Sequence, residues 1–459
     1  MPRRSRSKSL VRSRKRKAGD LASQRLDDGD EEPLASETSG ADKTRLGRAS
    51  SSNPNALWPD CDAWRPKSMF DVYYRLTAVV PREEWPAFSD SLRRPLPITF
   101  RFTRDAADDF RAEGERVLSR WAAEGLGTRR LGLVEGWQLH MDKHQLREAV
   151  PGSDAASVRE WLIRGTESGL LVRQEVASML PAATLGVLPH HRVLDMCAAP
   201  GSKTTQLVER LDGGGGVVVA NDFSALRCFT LVPCTGDGTT RKHPEVFHRW
   251  EVALALRQHP LQLQIAMRGC ALLEVGGLLC YSTCSLNPIE NEAVVAALLH
   301  KCGGGRRGAV EVESGADAVA AELAGGCAPG MSTWPLLDFR LARHRDLASL
   351  RASARFASPS GGSADVPVRE KRLYRASMWP PTAPSLAAQL RRCVRLLPHR
   401  SDSGGFFVAL LRKARPISGN LGPPICTDGA GGPGEAPANR LRVVHAGRRL
   451  LAAELPPRE

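Results

Sequence analysis

Two cysteines lie where a thiol could do chemistry. Cys234 sits in Val232-Pro-Cys-Thr-Gly-Asp-Gly-Thr239, a polar glycine turn, and Cys284 in Tyr281-Ser-Thr-Cys-Ser285, directly after an apolar run. In open α/β sheets the carboxyl ends of strands line the ligand crevice, so a thiol placed there reaches a substrate and serves as a nucleophile. The plainer reading of a single cysteine is a small buried hydrophobe. Two in polar loops that start helices weigh against it. A third stretch, Cys197-Ala-Ala-Pro-Gly-Ser-Lys203, puts Ala198, Ala199, Pro200, Gly201 and Ser202 in a small-residue loop before a helical pattern. Such a loop lets a ligand approach the backbone at a helix N-terminus, where free N–H groups favour an anionic group. Asp222 follows Gly201 by 21 positions (222 − 201), close to the spacing at which an acid meets ribose hydroxyls in dinucleotide folds. The loop is not G-x-G-x-x-G, which turns the expectation from a nicotinamide cofactor towards a nucleotide or adenosyl group. A structural turn with a capping acid is the alternative.

The elements that must position these groups follow from local patterns. Arg192-Val-Leu-Asp-Met196 reads as a strand, the loop leads into a helix to about Leu211, and Gly213–Gly216 turn the chain into a second strand, Val217-Val-Val-Ala-Asn221. A helix around 261–273 stops at Gly276-Gly277, and Leu278-Leu-Cys-Tyr-Ser282 forms the strand before Cys284. Another helix is expected with Asn287 as cap, Pro288 at its first position and Glu290 closing a capping box. Gly404-Gly-Phe-Phe-Val-Ala-Leu-Leu411 reads as a buried strand. The division expected is 1–55 as a disordered basic arm, 56–185 as an N-terminal folded module, 186–414 as an α/β domain, and 415–459 as a loose Gly- and Pro-rich tail.

Among the 459 residues, 64 Lys and Arg exceed 50 Asp and Glu, a net charge of +14 that favours a polyanionic partner such as nucleic acid. Arg3, Arg4, Arg6, Lys8 and a further run from Arg12 to Lys17 crowd the first seventeen positions, as in a nuclear-import signal, a nucleic-acid arm or a solvated tail. A nuclear location, the nucleolus included, is the expectation. The eleven cysteines show no C-x-x-C pair, which argues against a disulfide framework or a zinc site, so no metal is expected. No uninterrupted apolar run is long enough to span a bilayer, and no membrane partner is expected. A monomer is the default.

These residues resemble the Nop/Sun RNA (cytosine-5) methyltransferases, and within them the eukaryotic branch that acts on tRNA. Cys197-Ala-Ala-Pro-Gly-Ser-Lys-Thr-Thr-Gln206 is similar to that family's cofactor loop, Pro233-Cys-Thr-Gly-Asp-Gly-Thr-Thr-Arg-Lys242 to its first cysteine motif, and Tyr281-Ser-Thr-Cys-Ser-Leu-Asn-Pro-Ile-Glu-Asn-Glu292 to its second. Arg93-Arg-Pro-Leu-Pro97, Glu167-Ser-Gly169 with Arg173-Gln-Glu175, and Leu396-Leu-Pro-His399 with Gly404-Gly-Phe-Phe407 are similar too, so the likeness covers roughly residues 68 to 413. It implies a Rossmann-like class I fold of α/β type that binds S-adenosyl-L-methionine and an RNA partner, tRNA first, with 56–185 as an N-terminal RNA-binding module and 186–414 as the catalytic domain. It implies that Cys284 adds to C6 of a cytosine, that C5 takes the methyl group, and that Cys234 helps release the base. Lys203 and the helix start near Pro288 are candidates for activating Cys284.

One stretch departs from the family pattern. There a long segment, with an acid, a helix and a strand ending in Asp, separates the acid matching Asp222 from the Pro-Cys motif. Here Asp222 is followed by Phe-Ser-Ala-Leu-Arg-Cys-Phe-Thr-Leu-Val232 and then Pro233-Cys234. A strand at Phe229–Val232 would start seven positions after Asp222 (229 − 222), while a parallel crossover needs about ten to twelve residues or more. The expectation is a central sheet interrupted between Asp222 and Pro233, through a skipped exon, a gene-model error or an inactive isoform. The competing functions are a catalytically impaired, RNA-binding chain and a DNA cytosine-5 methyltransferase. The latter uses the Pro-Cys thiol as nucleophile, and the Ser-Thr-Cys motif speaks against it.

Overall fold

The computed structural model describes residues 68–123, 127–211, 213–221, 234–303, 308–353 and 372–417, together with the backbone of 441–445. The basic arm 1–55, Asp222, the Phe229–Val232 stretch and Pro233 lie outside the described residues.

The first elements are α1 (Met69–Thr77), α2 (Trp85–Leu92), β1 (Pro97–Phe102), α3 (Asp108–Ala123), β2 (Thr128–Leu131), β3 (Gly136–Asp142), α4 (Lys143–Arg147), α5 (Asp154–Glu167) and β4 (Leu171–Arg173). The strands form an antiparallel sheet in the order β2-β3-β1-β4. Helices α3 and α5 bury Phe110, Leu118, Trp121, Val158 and Trp161 against Phe100 and Phe102. They approach so closely that a Cβ at Gly114 would stand 2.2 Å from the Trp161 ring, so only glycine fits.

The larger unit adds α6 (Val176–Leu185), β5 (Arg192–Asp195), α7 (Ser202–Leu211), β6 (Val217–Ala220), α8 (Glu245–Arg249), α9 (Val252–Leu272), β7 (Leu278–Thr283), α10 (Glu292–Lys301), β8 (Val310–Val312) and α11 (Ala316–Ala324). It closes with β9 (Ala328–Pro329), a small hairpin of β10 (Leu336–Leu337) and β11 (Arg343–His344), then β12 (Val394–Leu396), β13 (Phe406–Lys413) and β14 (Leu441–His445). The main sheet runs β6-β5-β14-β7-β13-β12-β9, with β8 also on β13. Pairs among β6, β5, β14 and β7 are parallel, and those beyond β7 antiparallel. Strand alternation divides the core into two layers: Leu279, Tyr281, Phe407 and Ala409 face α9 and α10, while Leu278, Cys280, Val408 and Leu410 face α6 and α11. This is a mixed α/β fold, with helices on both faces of a sheet whose β6-β5-β14-β7 half is parallel in the Rossmann manner.

Four expectations change. The module drawn at 56–185 shares both its ends with the larger core. Phe70, Tyr73, Tyr74, Trp85 and Phe88 pack with Trp250 and α10, and Val176 to Leu185 pack with β5 and β7 residues, because their aromatic and aliphatic faces find their apolar partners there. The helix expected from Asn287 begins instead at Glu292, with Asn291 as its cap residue. Asn287 makes a local turn, its Oδ1 accepting from Ile289 N at 3.0 Å, and Glu290 closes no capping box. The tail 415–459 is not wholly loose. Its Leu441–His445 forms β14, paired in parallel with Arg192–Asp195 on one side, with a register shift after Val443, and through Val443 with Leu279 on the other. No described strand joins β6 to Cys234. The sheet expected to be interrupted between Asp222 and Pro233 is instead continuous among the described strands, because β14 holds the position between β5 and β7.

An interior strand cannot accommodate proline, which lacks the N–H that the ladder needs. Val443→Pro is expected to cost roughly 1–3 kcal/mol and to lower the melting temperature. Melting identical to the unsubstituted protein would mean that β14 is not part of the cooperative fold.

Candidate active site

β5, β6 and β7 run parallel to β14 or to each other, so their carboxyl ends open on one edge of the sheet. The loop 196–201 follows β5 there, Asn221 follows β6, and Cys284 follows β7. The loop is fixed from beneath by Asp195, which is fully buried. Its Oδ1 accepts from Cys197 N at 3.2 Å and its Oδ2 from Thr204 Oγ1 at 2.7 Å, while Ala198 N donates to Asn221 O at 2.9 Å. Gly201 has φ +104°, a conformation that L side chains avoid, and the space where a Cβ would stand is open. Ala198, Ala199, Pro200, Gly201 and Ser202 are half-buried or exposed, and Cys197 is buried. The loop therefore fits a ligand carrying a carboxylate or hydroxyl group at the start of α7. The ribose-binding acid expected at Asp222 lies outside the described residues.

Lys203 is turned inward from this loop. Its Nζ donates to Ser178 Oγ at 2.9 Å, and burial pushes its pKa down while the charges of Asp195 and Cys284 act to raise it. Cys234 and Cys284 come together, Sγ to Sγ 3.3 Å, in hydrogen-bond contact. That contact first, and burial second, push the Cys234 thiol well above its ordinary range. Cys284 is buried and Cys234 half-buried.

The two cysteine loops are joined by groups that sequence reasoning missed. Gly238 N donates to Cys284 O at 2.9 Å, and Gly405 N to Gly238 O at 2.7 Å. A Cβ on Gly238 would come within 2.2 Å of Gly405 O and 2.8 Å of Cys284 O, so three loops meet backbone to backbone. Asp237 is fully buried and accepts from Leu286 N at 2.6 Å, from Trp250 Nε1 at 3.3 Å and from the Tyr74 hydroxyl. Arg241 reaches out of the same motif to Arg94 O at 2.9 Å, Pro95 O at 2.8 Å, Ser403 O at 3.1 Å and Asp402 Oδ1 at 2.8 Å. Glu175 Oε1 accepts from Gly404 N at 2.6 Å. The short motifs at 93–97, 173–175, 234–242 and 404–407, scattered through the sequence, thus converge around Cys234 and Cys284. The glycines flanking Asp237 were the one visible signal of so close an approach. Among the described residues no group of three or more His, Cys, Asp or Glu side chains is arranged to hold a metal ion, and no helix is long and apolar enough to cross a membrane.

Two expectations follow. Gly238→Ala must push apart three backbone segments and should destabilise by about 1–3 kcal/mol, read as a lowered denaturation midpoint; an unchanged midpoint would refute the close approach. Because the bond to Cys284 holds the Cys234 pKa up, Cys284→Ala should lower it and speed iodoacetamide labelling of Cys234 near neutral pH. Equal labelling rates in the two proteins would disprove the thiol–thiol contact.

The family model of the 16S rRNA methyltransferase RsmB/F matches residues 182–232 and 229–322, in two pieces that meet where the sequence departs from its family pattern. A tRNA (cytosine(34)-C(5))-methyltransferase of Drosophila melanogaster is 34% identical over 432 residues, covering 77% of this chain and 54% of the relative. A multisite-specific tRNA:(cytosine-C(5))-methyltransferase of Saccharomyces cerevisiae is 32% identical over 408 residues, covering 75% and 55%. The chain spans little more than half the length of these curated relatives. Among solved structures, a methyltransferase homologue from Pyrococcus horikoshii superposes with a TM-score of 0.46 at 21% identity, covering 75% of this chain and 94% of that one. Residues 182–322 thus match the RsmB/F family model, and about three quarters of the chain is similar in sequence to eukaryotic tRNA (cytosine-C5)-methyltransferases.

Proposed function

We propose that this chain is an S-adenosyl-L-methionine-dependent RNA (cytosine-5) methyltransferase acting on tRNA. The observation that carries the reading is the pair of thiols at 3.3 Å on the carboxyl edge of the sheet, beside a small-residue loop open at Gly201. The loop Cys197–Lys203 would hold the cofactor against the start of α7, with Asp222 on its ribose. Bound there, S-adenosyl-L-methionine supplies an electrophilic methyl group.

This chain's own residues do the rest. The Cys284 thiolate adds to C6 of the cytosine, forming an Sγ–C6 bond and leaving C5 electron-rich. The Lys203 ammonium, with Cys284 among the charges acting on it, supplies the positive field that the thiolate needs. After C5 has gained its methyl group and lost its proton, the Sγ–C6 bond breaks and the pair of electrons returns to Cys284. Cys234, in contact with that sulfur, stands where it can assist this elimination. The target base must leave its stack to reach Cys284, which costs a few kcal/mol and is easier in an RNA loop. The net charge of +14 favours the polyanion, and we place the protein in the nucleus on the strength of its basic N-terminal run.

A second reading, RNA binding without methyl transfer, is favoured by the shortness of the stretch 222–233, which leaves no room for the acids the family carries there. Loss of an acid–base group costs roughly 10²–10⁴ in rate. The deciding assay is transfer of labelled methyl groups to tRNA by this chain and by Cys284→Ala. Incorporation at cytosine C5 that disappears in the variant is the expected result. No incorporation by either soluble protein, with salt-dependent tRNA binding retained, would replace it with the second reading.

A further inference from the structure

Glu290 lies under both cysteine loops and is fully buried. Its Oε1 accepts from Thr235 N at 2.9 Å and from Gln262 Nε2 at 3.0 Å. Its Oε2 accepts from Thr235 Oγ1 and from Ser285 Oγ, each at 2.6 Å. Thr235 directly follows Cys234, and Ser285 directly follows Cys284. One carboxylate therefore grips the residue next to each thiol. The surroundings complete the picture: Asp237 is the acid nearest in the electrostatic sense, Tyr281 OH donates to Glu290 O at 2.5 Å, and Gln262 reaches in from α9. Burial, then the charge of Asp237, push the Glu290 pKa up to about 7, and the bonds from Ser285 and Thr235 work against that rise.

We infer that Glu290 is a positioning residue that sets the spacing of Cys234 and Cys284 by holding Thr235 and Ser285 on a single carboxylate. It touches no substrate and acts only through the two loops. The inference rests on the reading of the two thiols as nucleophile and releasing group. Hydrogen bonds to a buried charged acceptor are the strong ones, and a displacement of about 1 Å at a reacting centre can cost on the order of 10²-fold in rate. The acid is needed less for its charge than for its two acceptor sites. In Glu290→Gln the remaining oxygen can face Thr235 N and Gln262, while the new amide donates to the two hydroxyls, so the bridge survives in altered form.

The spacing can be read without methyl transfer. Diamide takes two electrons and two protons from a pair of thiols, forming the S–S bond and becoming the hydrazine, and it does so fastest where the sulfurs already touch. Full-length protein is treated with diamide, and the Cys234–Cys284 disulfide is followed by peptide mapping. Glu290→Ala is expected to slow its formation about tenfold or more, the equivalent of one hydrogen bond to a charged group. Glu290→Gln should stay near the unsubstituted rate. Thr235→Val, which deletes one hydroxyl at a half-buried position and should fold even where Glu290→Ala does not, should be slowed in the same direction. In the tRNA assay the slowed variants should lose kcat with KM for tRNA unchanged. Disulfide formation at the unsubstituted rate in Thr235→Val and in folded Glu290→Ala overturns the inference. Failure of the unsubstituted chain to transfer methyl groups, with the oxidation pattern as expected, overturns the methyltransferase reading and leaves the positioning role standing.

Discussion

The site depends on one buried carboxyl group, that of Asp237. It sits in the Cys234 motif, yet its acceptors are filled by the backbone N–H of Leu286, two residues past Cys284, by Trp250 ahead of α9, and by Tyr74 of α1. Burial raises its pKa, and the bonds from Tyr74 and Leu286 act to lower it. An unsatisfied carboxylate at such depth would be costly, so every partner must be in place before the loop can settle. The aromatic helix at the start of the described chain is thereby tied to chemistry far along the sequence. Asp237 fixes where the first cysteine loop sits on the second, and Arg241 then fixes both against the 93–97 and 402–403 segments.

Much of this was legible locally. The strand, small-residue loop and helix around 192–211, the buried run before Cys284 and the strand 406–413 each announce themselves through periodicity and glycine placement. What local patterns misjudged were residues whose partners lie elsewhere. Glu290 follows Asn287 by three positions, the spacing of a capping box, but its carboxylate is claimed by Thr235, which is fifty-five residues away in sequence. Residues 69–92 read as the opening of a separate module because nothing in them reveals that Trp250 and α10 will cover their aromatic faces. β14 was invisible for the same reason. Five residues in a Gly- and Pro-rich surrounding carry little signal, and a parallel strand is specified by the edges it joins.

The arrangement also separates two tasks that the sequence motifs run together. Lys203 belongs to the 197–203 loop by position and to the thiol by environment, since its side chain leaves the open edge and turns beneath it towards Ser178, within the field of Asp195 and Cys284. The loop backbone lies at the open edge, while the Lys203 side chain turns inward towards the thiols. A single turn of chain at the end of β5 thus supplies both the exposed loop and the buried cation beside Cys284.

The placement of β14 has a consequence for the order in which this protein can assemble. Leu441 pairs with Arg192, a separation of 249 residues (441 − 192), and the strand that completes the parallel half of the sheet follows every other described element. Chains fold from the N-terminus as they are made, and long-range strand pairing is slow because loop closure must precede it. Until residues 441–445 arrive, β5 and β7 each present an unpaired parallel edge, the kind of surface that recruits strands from other chains. During synthesis the interior of this sheet is therefore its last part to close, and the nascent chain is exposed to misassociation at the place where the finished protein is most enclosed.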